Sequence, residues 1–311
     1  MAKIRLDWTN PNFGAVRHNI YRGTSSLDPQ NLPPPLDDVP GGSETFTDDN
    51  GIVRGQTYHY IIGTEVDGDE HLSNEVSLLV PIYDRALIKI LMIVNDLGHA
   101  ATTNTRNGLI AAGFDLANIT TVAESATPPS GSFDVAMIVR ALETTTGNWS
   151  HYMGLWEAGL PFLFGSANNL TAGTGRNMPS TRANLTGTYT VYSGANVNEN
   201  NITNNSHPIT SPWAIGRLSI YSGSSSAYGY GVTSGQPFVG TQLALGDPDA
   251  SQLSSTVSLI AVPAGTERLN SAGPTMTPAV VWGDLYAGQF PYTADGRELM
   301  ARSIDWLCGG L

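Results

Sequence analysis

The chain has 311 residues, enough for one large domain or two ordinary ones, each with a core of its own. Its net charge of −12 argues against nucleic acid or an anionic membrane as partner. A single cysteine, Cys308, excludes an internal disulfide framework and a cysteine-built zinc site. Charged residues make up only 14% of the chain, so the polar surface is drawn from Ser, Thr, Asn and Gly, as in extracellular proteins and large assemblies. The sequence opens without a basic region followed by an apolar core and holds no bilayer-length apolar run, so neither Sec export nor membrane insertion is expected.

Residues 1–82 read as a small β-sandwich. Ile4-Arg5-Leu6-Asp7-Trp8 alternates apolar and polar, as a half-buried strand does. Asn19-Ile20-Tyr21-Arg22 is a second strand, and residues 30–40 are proline-rich, suited to a loop or a sheet edge. Thr45-Phe46-Thr47-Asp48 leads into a turn at Asp49-Asn50-Gly51. Residues 57–64 form the most strand-like segment, with Tyr58, Tyr60 and Ile62 on one face, and 75–81 close the unit. Asp67-Gly68-Asp69-Glu70 and Asp247-Pro248-Asp249 lack the ligand series of a calcium loop and read as acidic turns.

Residues 83–88 form a linker into the second domain, 89–311. Lys89-Ile90-Leu91-Met92-Ile93-Val94-Asn95 is apolar without alternation, so both faces of this strand are expected to be covered, as in a parallel sheet. A helix over 105–113 follows, stopping at Gly113, then apolar runs at 119–123 and 133–139, a helix over 149–159 and a strand over 161–165. Strands alternating with helices predict an α/β sheet. Residues 171–205 and 222–235 are long polar insertions, the first with a strand-like run at 188–192. Further strands are expected at 217–221, 257–262 and 279–282, and an amphipathic helix over 297–307 closes the chain.

Two resemblances add to this reading. Leu6-Asp7-Trp8-Thr9-Asn10-Pro11, Ile20-Tyr21-Arg22, Phe46-Thr47-Asp48, Tyr58-His59-Tyr60 and Ser73-Asn74-Glu75-Val76 resemble a fibronectin type III domain of the kind found in bacteriophage virion proteins. From Lys89 onward the chain resembles the class I glutamine amidotransferase-like superfamily, in its trehalose-utilisation branch. The matching stretches are the 89–95 strand with Gly98-His99, Phe133-Asp134-Val135-Ala136, Glu157-Ala158-Gly159-Leu160-Pro161 with Phe164-Gly165-Ser166-Ala167, His207-Pro208-Ile209-Thr210, and Thr293-Ala294-Asp295-Gly296-Arg297 through Ile304-Asp305-Trp306-Leu307. Together they imply a multidomain protein: a fibronectin type III-like β-sandwich followed by an α/β, flavodoxin-like parallel sheet with helices on both faces.

That superfamily carries its cysteine nucleophile on the strand-to-helix elbow, where this sequence has Ser166 or Ala167. A serine needs an adjacent base, and no base stands beside it in sequence. The resemblance therefore implies a non-enzyme with a degenerate elbow; the scattered His and Asp residues make no metal-ligand pattern, and no cofactor is expected. Asp96, His99 and His207 are the candidates for a pocket at the strand ends. Tyr228, Tyr230 and Trp213, flat aromatics among small polar residues, are the candidates for ligand binding. The function implied is a virion structural or accessory protein of the tail or capsid surface, made in the host cytoplasm. Its expected partners are other virion proteins and host-surface glycans, with homo-oligomerisation open. The alternative is a carbohydrate-active enzyme or sugar-binding protein.

Overall fold

The computed structural model describes residues 4–9, 14–53, 55–80, 83–94, 96–139, 141–142, 149–165, 167–168, 183–187, 189–192, 199–223, 229–233, 235–246, 256–283 and 291–311. They fall into two compact units, divided between Tyr83 and Asp84.

The first unit is all strand: β1 (Ile4–Asp7), β2 (Arg17–Gly23), β3 (Asp37–Pro40), β4 (Thr45–Asp48), β5 (Thr57–Val66), β6 (Asp69–Leu72) and β7 (Val76–Leu79). β1 and β4 form a two-stranded antiparallel sheet. The larger sheet runs β3-β2-β5, with β6 and β7 pairing successive halves of β5. Ile4, Leu6 and Phe46 of the small sheet share one core with Ile20, Tyr58, Tyr60 and Ile62 of the large one. The period-2 reading of β5 holds, since Tyr58, Tyr60 and Ile62 all face that core.

One polar cluster fixes the sheets together, and a second contact anchors a strand to its turn. Asp48, at the end of β4 and fully buried, accepts from Arg22 Nη1 at 2.8 Å and from the Tyr60 hydroxyl at 2.6 Å. Burial and this carboxylate raise the Tyr60 pKa. Tyr58, near the start of β5, accepts from Val53 N at 2.8 Å and donates to Gly51 O at 3.3 Å, tying the strand to the turn before it. The proline-rich 30–40 segment ends in β3, an edge strand closing on Pro40, where a missing amide donor costs nothing. Asp67 and Gly68, at φ 53° and 91°, make the tight β5–β6 turn, since a two-residue hairpin of right-handed twist requires positive φ at both positions.

The second unit contains β8 (Ile90–Val94), α1 (Ala100–Ala111), β9 (Ile119–Ala123), β10 (Val135–Val139), β11 (Ala141–Leu142), α2 (Trp149–Glu157), β12 (Phe162–Phe164), β13 (Ala167–Asn168), β14 (Tyr189–Tyr192), β15 (Glu199–Ile202), β16 (Gly216–Ser219), β17 (Gly229–Val232), β18 (Thr241–Leu245), β19 (Val257–Val262), β20 (Ala279–Trp282) and α3 (Ala294–Leu307). Nine strands follow the order β16-β15-β18-β19-β20-β12-β10-β8-β9, and the β14–β17 pair joins through β19. From β9 to β20 every pairing is parallel, and from β20 to β16 every pairing is antiparallel.

The sheet is therefore mixed, a correction to the parallel sheet expected from the sequence. Its parallel part keeps the flavodoxin-like order. Of the strands added to it, β14, β15 and β17 come from the segments read as polar insertions, β16 and β19 lie at expected strands, and β18 lies in neither. β15 arises within 171–205, with Asn200 and Ile202 buried, and β17 arises within 222–235.

Helices lie on both faces, as expected. α1 and α3 pack with Ile90, Met92, Val94 and Leu163 on one side. Tyr152 and Trp156 of α2 pack with Leu91, Ile93, Phe162 and Phe164 on the other. All five β8 residues are buried, which is why that run lacks alternation.

The short helical turn Arg85–Leu87, within the expected linker, belongs to this unit. Arg85 donates to Asp305 through Nε and Nη2 (3.1 and 2.5 Å), to Glu298 through both terminal nitrogens (3.0 Å each) and to Ala112 O at the end of α1 (3.0 Å).

Candidate functional site

In an open sheet of this order, ligands bind beyond the carboxyl ends of the strands where the chain reverses direction across the sheet. Here that point lies between β8 and β10, because the chain passes from β8 to β9 on one side and then crosses to β10 on the other. The loops to inspect follow β8, β10 and β12. Asn95, Arg140, 143–148 and Ser166 lie outside the described residues, so the elbow expected at Ser166 is described only on either side of it. Gly165 N donates to Ile138 O at 2.9 Å, and β11 pairs with β13 in parallel just past the elbow.

After β8, the Asp96 carboxylate accepts from Gly98 N at 2.8 Å, and the Asp96 carbonyl accepts from the Thr102 hydroxyl at 2.8 Å. His99 is the N-cap of α1, its Nδ1 accepting from Ala101 N at 3.0 Å. Both side chains are thereby committed to shaping the start of α1. A helix of twelve residues with few apolar positions needs such a cap to begin where it does.

His207 stands elsewhere. Its Nδ1 accepts from Ile209 N at 3.2 Å, which leaves the neutral ring protonated on Nε2, and the ring packs 5.3 Å from that of Trp306. Burial pushes its pKa below the ordinary value. Arg302 of α3 donates from Nε to Ile209 O at 3.0 Å, and from Nη2 to Pro208 O and the Ser211 hydroxyl. Trp213 donates from Nε1 to Asp295 Oδ1 at 3.1 Å. Residues 207–213 thus run along α3 from its last turn to its first.

The last turn of α3 lies where the parallel strands begin. Cys308 Sγ is 3.9 Å from Asp134 O, just ahead of β10, and Asp305 binds Arg85, just ahead of β8. The first turn lies near the other end, where Tyr292 meets Thr105 of α1 at 3.3 Å. His207 therefore sits at the amino end of the parallel strands, with Asp96 and His99 at the carboxyl end. Five residues of β8, about 15 Å, stand between them. The structure brings Asp96 and His99 together and does not bring His207 to them.

Of the aromatic candidates, Trp213 is docked on α3, while Tyr228 and the Tyr230 side chain lie outside the described residues. Tyr221, Trp282 and Tyr292 are core residues. The rings of Tyr221 and Tyr292 are 4.9 Å apart, and Trp282 Nε1 donates to the buried Asn200 Oδ1 at 3.0 Å. Burial raises the Tyr292 pKa. Two features escaped the sequence reading. The Asn200–Trp282 bond had no local signal. The Arg85 anchor had one, since Glu298 and Asp305 are seven residues apart and lie on one face of the closing helix. Among the described residues no group of three or more His, Cys, Asp or Glu is placed to share a metal ion.

No protein-family model matches the chain, and no curated protein matches it. Among solved structures it is similar to a ThuA-like protein from Bacteroides uniformis, at 13% identity and a TM-score of 0.44 over 71% of this chain and 91% of that one. A ThuA-like protein from Parabacteroides merdae gives 12% identity and a TM-score of 0.45 over 72% and 90%. The β-galactosidase of the haloarchaeon Halorubrum lacusprofundi gives 12% and 0.42, over 70% of this chain but 30% of that one. At this identity and this degree of superposition the likeness carries no statement about activity.

Proposed function

We propose that the chain is a non-enzymatic structural or accessory protein of a bacteriophage particle, built from a fibronectin type III-like unit and a trehalose-utilisation-like unit. The observation that carries the non-enzymatic part is how the candidate side chains are used. His99 caps α1, His207 caps its own turn against Trp306, and Trp213 is tied to Asp295. Each holds backbone or packing in place, and His207 is a strand length from the other pocket candidates.

The fibronectin type III-like part is supported by the Tyr58 hydroxyl bonding back to the turn before its strand, a device of such sandwiches. The placement in a particle rests on the resemblance of the first unit to virion domains and on the low-charge Ser/Thr/Asn/Gly surface.

Quantitative mass spectrometry of particles purified from the source tests the reading. Stoichiometric recovery of peptides from both units is the expected result, and particles that lack the chain overturn it. A second reading, a carbohydrate-active protein, is favoured by the β8/β10 reversal, where sheets of this order hold ligands. It predicts binding on a glycan panel that Asp96→Ala abolishes, and an unresponsive panel removes it.

A further inference from the structure

β7 is a margin of the larger sheet of the first unit. It pairs with the first half of β5 and, among the described residues, with no other strand. Just past it, Val80 donates its N–H to Gln56 O at 3.0 Å and accepts from Gly55 N at 2.7 Å, so its backbone faces the segment leading into β5. Backbone groups alternate in direction along a strand. Those of Val76 and Leu78 therefore also face β5, and those of Ser77 and Leu79 face outward along an open edge.

This edge is unprotected. β7 reads Val-Ser-Leu-Leu, with neither a charge nor a proline, and Val76, Leu78 and Leu79 are 60%, 46% and 59% exposed. Val76 and Leu78 stand opposite Tyr60 and Tyr58 on one face of the sheet, where the tyrosines are buried and they are not. The core stops short of β7. The other two margins of the sheet are blunted by acidic residues or proline, since β3 reads Asp-Asp-Val-Pro and β6 reads Asp-Glu-His-Leu. Either one, meeting its own copy, would bring carboxylates together in a chain whose net charge is already −12. Of the three margins, only β7 meets its own copy without that repulsion.

We propose that the β7 edge is a self-association site, at which β7 of a second copy pairs antiparallel with it about a two-fold axis and continues the larger sheet. The axis passes through Leu78. In that register Ser77 lies opposite the second copy's Leu79, and Leu79 opposite the second copy's Ser77. The residues whose N–H and C=O groups face the edge thus bond with each other. On the opposite face of the strand, Leu78 meets the second copy's Leu78. An axis through Ser77 would instead set Leu79 against the second copy's Glu75, which lies outside the strand and whose carboxylate already holds Leu27 N and His59 Nδ1. Each copy offers on the order of 300 Å² of exposed strand, below the roughly 800 Å² per partner of a standard interface, so the dimer is weak, with Kd about 10–100 µM. The site is independent of whether the chain belongs to a particle.

Sedimentation of the full chain up to several hundred micromolar tests the proposal, with circular dichroism confirming that each variant is folded. The wild type is expected to dimerise. Ser77→Pro removes an N–H that faces the edge and none that β5 receives, and is expected to weaken the dimer about tenfold or more. Leu78→Lys and Leu78→Glu each set like charges face to face at the axis and are expected to be monomeric. Because Leu78 is half exposed, either charged head reaches water in the single chain. Mixed in equal amounts, the Lys and Glu variants are expected to form a heterodimer, as self-opposition at position 78 requires. In hydrogen exchange, the Ser77 and Leu79 amides are expected to gain protection as concentration rises. A monomeric wild type would leave the edge to a strand of some other protein and overturns the proposal. So does a Ser77→Pro chain that dimerises as tightly as wild type, a Lys/Glu mixture that stays monomeric, or amides indifferent to concentration.

Discussion

Arg85→Ala tests the account of how the second unit is closed. The guanidinium joins the entry to β8, the end of α1 and two turns of α3, and its nearest partner is Asp305 at 2.5 Å. The Asp305 side chain is 5% exposed, so removing the cation leaves a carboxylate in a nearly dry site. Breaking a buried pair in this way costs about 3–5 kcal/mol. Arg85 itself is 24% exposed and Glu298 40%, so water recovers part of the loss. The expected cost is about 3 kcal/mol, the low end of that range.

Urea unfolding followed by tryptophan fluorescence measures it, since every tryptophan except Trp8 belongs to the second unit. Glu298→Ala, at the wetter partner, is the control and is expected to cost about 0.5 kcal/mol. An Arg85→Ala cost below about 1 kcal/mol, or equal costs for the two variants, would refute the argument that burial of Asp305 sets the magnitude.

Two further outcomes follow from the same unit. Gly296 lies in the first turn of α3, where an added Cβ would collide with the Ile220 carbonyl oxygen. Gly296→Ala is therefore expected to destabilise by about 1–3 kcal/mol, against the roughly 1 kcal/mol that alanine gains in a free helix, and thermal denaturation gives the sign. His207 has a pKa depressed below 6.5 by burial, so the unfolded chain binds its proton first as pH falls. Its stabilising contribution is full above pH 6.5 and declines as pH falls through the lower folded value. His207→Phe is expected to flatten the dependence of melting temperature on pH between 6.5 and the acid limb, and an unchanged slope would exclude His207 as its source.

The sequence by itself determined the elements whose residues obey one local rule. The unbroken apolar run of β8, the alternation of Tyr58, Tyr60 and Ile62 in β5, and the amphipathic face of α3 were legible because burial on two faces, one face or one stripe each leaves its own period. Asp96 and His99 were legible as a loop after a strand, but their service to the start of α1 is a matter of backbone direction that spacing does not report.

Tertiary structure alone decided the rest. β15 reads Glu-Asn-Asn-Ile and carries no apolar period, yet it is an interior strand. β16 and β18 satisfy its backbone on both edges, and Trp282 satisfies the buried Asn200. The same holds for His207 and Asp96, which the sequence allows to share a pocket and the sheet sets at opposite ends. Strand pairing and the direction in which α3 crosses the sheet are bonds between distant residues, and no local pattern of side chains encodes which partner supplies them.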